Sequence, residues 1–191
     1  MYIYLHGFNS GGTSAKAAQL RRMLAPVTVL SPTYPVHRVE AALEFLRAYI
    51  RDALRAHPEE RTLVLVGSSL GGLYAHRLAA EFAAGIVLIN PSIHPHTTLL
   101  RQVGHQRNEA TGEEYELTID QVQSLVVLES AQCHPQIPAL LLLDAGDELL
   151  DYRVAQAWCR GAGTTRIYPG GNHRFEHLAE AATEIRQLHG T

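Results

Sequence analysis

Gly67-Ser68-Ser69-Leu70-Gly71 constrains this chain more than any other segment. It follows an apolar run at 62–66 and opens a stretch at 70–82 in which Leu70, Leu73, Tyr74, Leu78 and Phe82 share one helical face. A serine with glycines two positions before and after it, between a strand and a helix, reads as a tight strand-to-helix turn. Side chains at the flanking positions would collide with neighbouring backbone. The pattern Gly-x-Ser-x-Gly centres on Ser69, because Ser68 would need glycines where Val66 and Leu70 stand. Such a turn exposes the serine at the carboxyl end of a parallel sheet, and the N-terminus of the following helix favours negative charge there. Ser69 is therefore the candidate nucleophile.

The rest of the chain supplies the sheet. Short apolar runs at 2–5, 27–30, 62–66, 85–89, 139–143 and 166–168 alternate with helical patterns at 15–24, 39–57, 70–82 and 178–188. This predicts an α/β fold, a compact, mostly parallel six-stranded sheet with helices on both faces. With 191 residues, one domain spanning 1–191 is expected. The link from Ile89 to Ala139 is longer than a single crossover helix needs. Turn signals at 90–95, an acidic turn at 109–116 and an apolar pattern at 119–128 predict a small cap at about 91–137. Within it, Val122, Leu125, Val126 and Leu128 either line an acyl pocket or pack the crossover onto the sheet.

Charge and composition narrow the class of partner. Sixteen basic residues against nineteen acidic ones give a net charge of −3 without a basic stripe, so nucleic acid is not an expected partner. No run approaches the roughly 18 apolar residues that span a bilayer, and no membrane association is expected. The chain opens directly on Met1-Tyr2-Ile3-Tyr4-Leu5 with no basic region, so no secretory leader is expected. Cys133 and Cys159 form no Cys-x-x-Cys spacing, which fits a reducing, cytoplasmic setting and indicates neither a disulfide framework nor a zinc knuckle.

A serine that attacks an acyl carbon needs donors for the developing oxyanion. The N–H of Leu70 is one candidate. The second comes from His6-Gly7-Phe8-Asn9-Ser10 after the first strand, with Phe8 the candidate donor and His6 a brace for the turn. Where such an elbow occurs, acid and base follow the serine in that order, after late strands. His173, in Gly170-Gly171-Asn172-His173, meets this requirement; His177 is its rival and reads as a surface helix residue. Four acids follow the run at 139–143. Asp144 stands at the strand's end, Asp151 reads as the N-cap of a helix starting at Tyr152, and Asp147 beyond Gly146 is best placed, with Glu148 second.

These segments carry a resemblance. Tyr4-Leu-His-Gly-Phe-Asn-Ser10, Gly67-Ser-Ser-Leu-Gly-Gly72, Gly146-Asp-Glu-Leu-Leu-Asp-Tyr152 and Gly170-Gly-Asn-His173 resemble the YqiA-type esterases, small bacterial α/β-hydrolases. Asn90-Pro-Ser92 and Thr111-Gly-Glu-Glu-Tyr115 add to the likeness, which runs along the whole chain. It implies the α/β-hydrolase fold, without the two strands that usually precede the oxyanion strand. It also implies an esterase or thioesterase acting on small acyl compounds, with Ser69, Asp147 and His173 as triad and Phe8 and Leu70 as oxyanion donors. No cofactor is implied, and a monomer or homodimer is expected.

Three other readings stand beside it. His173-Arg174-Phe175-Glu176-His177 matches His-x-x-Glu-His, a spacing that places two zinc ligands on one helical face. The apparent turn before His173 speaks against it, and no metal is expected. A binding protein that keeps the fold without the reaction is the second, and a serine peptidase the third.

Overall fold

The computed structural model describes residues 1–190. Strand β1 (Tyr2–Leu5) leads to helix α1 (Ala15–Leu24), β2 (Val29–Leu30), α2 (Val39–Ala56), β3 (Val64–Ser68), α3 (Leu70–Phe82) and β4 (Gly85–Ile89). The long link then folds as α4 (Pro95–Thr98), a 3-10 turn at Leu99–Gln102, a hairpin of β5 (Gly104–Arg107) and β6 (Glu114–Leu117), α5 (Ile119–Ser124) and a second 3-10 turn at Leu125–Leu128. The main sheet resumes with β7 (Ala139–Asp144), α6 (Tyr152–Trp158) and β8 (Thr164–Tyr168). A 3-10 turn at Glu176–Leu178 and helix α7 (Ala182–His189) close the described chain.

The six strands outside the hairpin pair in the order β2-β1-β3-β4-β7-β8, each pair parallel. Parallel strands need crossovers, and these put helices on both faces, so the central strands read as apolar runs without alternation. Every residue of β1 and of β7 is buried. Ile3, Leu5, Leu65 and Leu141 point to one layer with α2 and α3, where Leu46, Ile50, Leu73 and Leu78 meet them. Tyr2, Tyr4, Val64, Val66 and Leu142 point to the other, under α1 and α7, against Leu20, Leu24 and Ile185. Truncating a fully buried leucine such as Leu141 to alanine would cost about 2–5 kcal/mol.

Several boundaries differ from the sequence expectation, each for a local reason. β3 starts at Val64 rather than 62 because its partner begins at Gly85, with Val64 opposite it in register. The Thr62 carbonyl instead accepts the N-terminal ammonium at 2.6 Å. β2 is cut to two residues because the Val27 N–H turns back to the Leu24 carbonyl at the end of α1. The helix expected at 178–188 starts at Ala182, after the shorter turn that ends at Leu178.

The predicted cap region packs onto the body through its own apolar residues. Val122, Leu125 and Leu128 are buried, the latter two within the layer under α3, whereas Val126 is exposed. The three buried residues therefore pack the crossover onto the sheet, while Val126 faces outward. Thr118 and Gln121 form a reciprocal capping box at the start of α5, which fixes where the chain re-enters a helix after the hairpin.

Candidate active site

Ser69 sits between β3 and α3 at φ 54° and ψ −125°, a backbone conformation that L-residues rarely adopt. Its surroundings leave no relaxed alternative. A Cβ on Gly71 would lie 2.2 Å from the Leu5 carbonyl oxygen, and one on Gly67 would lie 2.3 Å from the Gly71 oxygen. β3, α3 and β1 thus approach at distances that only glycine permits. The Ser69 N–H donates to the Ile89 carbonyl at 3.0 Å, tying the turn to β4. Strain of this kind, on the order of 1–3 kcal/mol, persists where neighbours over-determine it.

The structure brings His173 and Asp147 to this serine. His173 Nε2 is 3.0 Å from Ser69 Oγ, and Nδ1 is 2.8 Å from Asp147 Oδ2. An ionised carboxylate only accepts, so Nδ1 carries the proton that faces Asp147 and Nε2 is left to accept from the serine hydroxyl. The Asp147 side chain is 2% exposed, and its other oxygen accepts from the N–H groups of Leu149 and Leu150, each at 2.9 Å. Glu148, the second choice for the acid, faces the backbone instead: it accepts the His173 N–H at 2.9 Å, which holds its carboxyl below the usual range. Asp151 caps α6 through the Arg153 N–H at 3.0 Å.

The loop carrying Gly7 and Phe8 lies beside the serine, since a Cβ on Gly7 would be 3.0 Å from Ser69 Cβ. Leu70, first in α3, has no carbonyl one turn back for its N–H. The Phe8 N–H has no acceptor among the described residues. His6 braces the turn: its Nδ1 is 2.9 Å from the Gly7 carbonyl, its Nε2 accepts from the Tyr34 N–H at 3.3 Å, and burial lowers its pKa. The β5–β6 hairpin holds the same loop from outside. Asn9 donates to Gln106 at 2.9 Å and accepts from the Tyr115 hydroxyl at 2.7 Å, and Asn108 donates to the Ser10 carbonyl at 3.0 Å.

A cavity of about 660 Å³ opens on Ser69 and His173. Its walls include Phe8, Ala110 and Phe175, together with Ser14, Lys16, Ser68 and Arg174. None of Val122, Leu125, Val126 and Leu128 lines it. The hairpin brings Glu109 and Ala110 to the cavity, whereas α5 and the turn after it are spent on the core.

Three features escaped the sequence reading. His177 is a half-buried partner of the buried Asp144, 2.7 Å from Oδ1, which raises its pKa; it is no surface helix residue. His173 and His177 thus face different carboxylates, and Phe175 between them has φ 63°, so His-x-x-Glu-His here does not lie on one helical face. Asn90, buried after β4, accepts the Asp144 N–H at 2.9 Å and donates to the Asn172 carbonyl at 3.0 Å, bridging the acid strand to the histidine loop. Its position before Pro91 signals only a turn in the sequence. Lys16 reaches from α1 to Ser68, a pairing across 52 positions that no local pattern encodes.

The family model described as "Uncharacterised protein family (UPF0227)" matches residues 1–190. A UPF0227 protein of Shewanella sp. (strain MR-4) is 25% identical over 190 residues, covering 97% of each chain. One of Vibrio cholerae (strain O395) is 29% identical over 157 residues, covering 79% of this chain and 78% of the relative. Among solved structures, a putative hydrolase of Agrobacterium vitis superposes with TM-score 0.76 at 20% identity, over 98% of this chain and 87% of that one. Est1E of Butyrivibrio proteoclasticus, in its structure with ferulic acid bound, superposes with TM-score 0.72 at 16% identity, over 96% of this chain and 85% of that one. These likenesses show the α/β-hydrolase fold. Among the described residues, no helix is long and apolar enough to cross a membrane.

Proposed function

The chain belongs to the UPF0227 family, the YqiA family that its motifs resemble, and from that premise we propose that it is a serine carboxylesterase or thioesterase cleaving small acyl esters or acyl-thioesters. The observation that carries the proposal is the line Asp147–His173–Ser69, with contacts of 2.8 and 3.0 Å beside an open cavity. Solved neighbours of this fold that are named as esterases and lipases support it.

In the proposed reaction His173 Nε2 takes the Ser69 proton as Oγ attacks the acyl carbon. The N–H groups of Leu70 and Phe8 receive the oxyanion, beside the N-terminal end of α3 where negative charge is favoured. The imidazolium then returns its proton to the departing alcohol or thiol, and Asp147 stabilises its charge without taking the proton. Water, activated by the same imidazole, releases the acid from the acyl-enzyme. The residues suffice for this sequence as they stand, and no step calls on a cofactor.

Treating the purified protein with a fluorophosphonate and locating the adduct by mass spectrometry tests the nucleophile. A single adduct on Ser69, lost in Ser69→Ala together with hydrolysis of short esters, is the expected outcome. A folded protein that reacts elsewhere or not at all would overturn the proposal. Matched esters and thioesters of graded acyl length then separate carboxylesterase from thioesterase.

A further inference from the structure

Lys16 is the single lysine of the chain, and it is spent inside the cavity that opens on Ser69. It projects from the first turn of α1 and donates to Ser68 Oγ at 2.8 Å, one residue before Ser69. An ammonium has three donors. The other two have no acceptor among the described residues, and no carboxylate forms an ion pair with Lys16. The nearby acids are already engaged. Asp144 accepts from the Asn172 and Glu176 N–H groups and from His177, while Asp147 accepts from Leu149, Leu150 and His173. Their charges reach Lys16 only at longer range and partly offset the burial that pulls its pKa down to about 8.

A half-buried cationic side chain lining a cavity, with a neutral hydroxyl as its fixed partner, is unusual, because charge drawn away from water is normally paired. A surface lysine would keep its head in water along the helix flank. Here the head is turned toward the elbow, and Arg174 adds a second cation at the rim against one carboxylate, Glu109. Successive Cα atoms are about 3.8 Å apart, so the ammonium, 2.8 Å from Ser68 Oγ, stands no more than about 11 Å from the Ser69 hydroxyl. That is the span of a short aliphatic spacer.

Resting on the reading of Ser69 as the nucleophile, we propose that Lys16 anchors an anionic subsite, and that the favoured substrate is an ester or thioester bearing a free carboxylate a few carbons from the scissile carbonyl. The carboxylate pairs with the two unfilled donors of Lys16 while the carbonyl lies against the N–H groups of Leu70 and Phe8. Phe8, Ala110 and Phe175 cover the apolar spacer. A neutral ester of equal length fills the same space but leaves the ammonium unpaired, so the subsite discriminates through charge.

Two matched pairs test this on the wild-type protein. Monomethyl glutarate against methyl pentanoate places the carboxylate on the acyl side; the butanoyl ester of glycolate against ethyl butanoate places it on the alcohol side. In one pair the anionic ester should have kcat/KM about tenfold or more above its neutral counterpart, as expected for a charge-assisted hydrogen bond. Lys16→Met should abolish that preference, lowering kcat/KM for the anionic ester about tenfold or more further than for the neutral one, and Lys16→Arg should retain part of it. No preference in either pair, or a preference that survives Lys16→Met, would overturn the proposal. So would equal losses on anionic and neutral esters, since Lys16 would then only support the elbow. If fluorophosphonate fails to label Ser69, the nucleophile reading has failed on its own, and the subsite is judged by calorimetric titration with glutarate. Binding that is lost in Lys16→Met supports it, and absence of binding to the wild type overturns it.

Discussion

Asp144 Oδ1 and His177 Nδ1 lie 2.7 Å apart at the carboxyl end of β7, with the aspartate fully buried. The same carboxylate accepts the N–H of Asn172 at 3.3 Å and that of Glu176 at 2.8 Å, so it grips the loop carrying His173 on both sides. Two aspartate–histidine pairs stand three and four residues apart in sequence. The Asp147 pair aims an imidazole at Ser69; the Asp144 pair sets the position of the backbone from which that imidazole hangs.

Replacing Asp144 with alanine is expected to destabilise the protein by on the order of 3 kcal/mol, because it removes the acceptor of two partly buried N–H groups and of the histidine. It should also lower kcat more than it raises KM. The pair has a pH signature. Asp144 raises the His177 pKa above 6.5, so its stabilisation is fully present below that value and is lost as pH rises through the higher folded value. Urea unfolding from pH 6 to 9 checks this: the wild type should lose more stability over that range than His177→Gln.

Asp147 and Glu148 are separated by their partners. Asp147→Asn should lower kcat by about 10³- to 10⁴-fold, as loss of the orienting carboxylate does in serine triads. Glu148→Gln keeps an oxygen for the His173 N–H and should lose less than about tenfold. Steady-state kinetics on one short ester decides; a larger loss in Glu148→Gln than in Asp147→Asn would move the acid to Glu148.

The elbow's strain predicts an exchange of stability for activity. Ser69→Gly should remove turnover and raise stability by about 1 kcal/mol, since glycine accepts φ 54° without the steric cost that serine bears. Ser69→Ala should remove turnover without that gain. Denaturant melts of the three proteins measure the difference.

Lys16 predicts a rise of stability with pH. Its folded pKa is lowered from 10.5 to about 8, so between these values the unfolded chain binds more protons than the folded one, and the folded state is favoured as pH increases. The gain, on the order of 1–3 kcal/mol between pH 8 and 10.5, should be absent from Lys16→Met. Equal slopes for the two proteins would show that the ammonium is as well solvated in the folded chain as outside it.

Much of the fold is legible in the sequence because parallel strands buried on both faces leave continuous apolar runs, as in Leu140 to Leu143. Strand ends are less legible. Val64 begins β3 because Gly85 begins β4, and Val27 is claimed by the end of α1. The cap is ambiguous in a different way. Val122, Leu125 and Leu128 are apolar for the sake of the core, and periodicity cannot tell a face that lines a cavity from one that closes a layer.

The sequence by itself determined the elbow. The Gly-x-Ser-x-Gly spacing marks the turn within five residues, and Gly67 answers to the Gly71 oxygen close by, although Gly71 itself is held to glycine by the Leu5 carbonyl of β1. It also narrowed the acid to a cluster after one strand and the base to a glycine turn after another. Only the tertiary structure decided how these meet. It set Asp147 rather than Glu148 against the His173 ring, turned His177 onto Asp144, let Asn90 bridge the two loops, and carried Lys16 across 52 positions to Ser68. Hydrogen bonds between distant residues depend on where the sheet delivers each loop. That is a property of the packed strands, and no local window of sequence contains it.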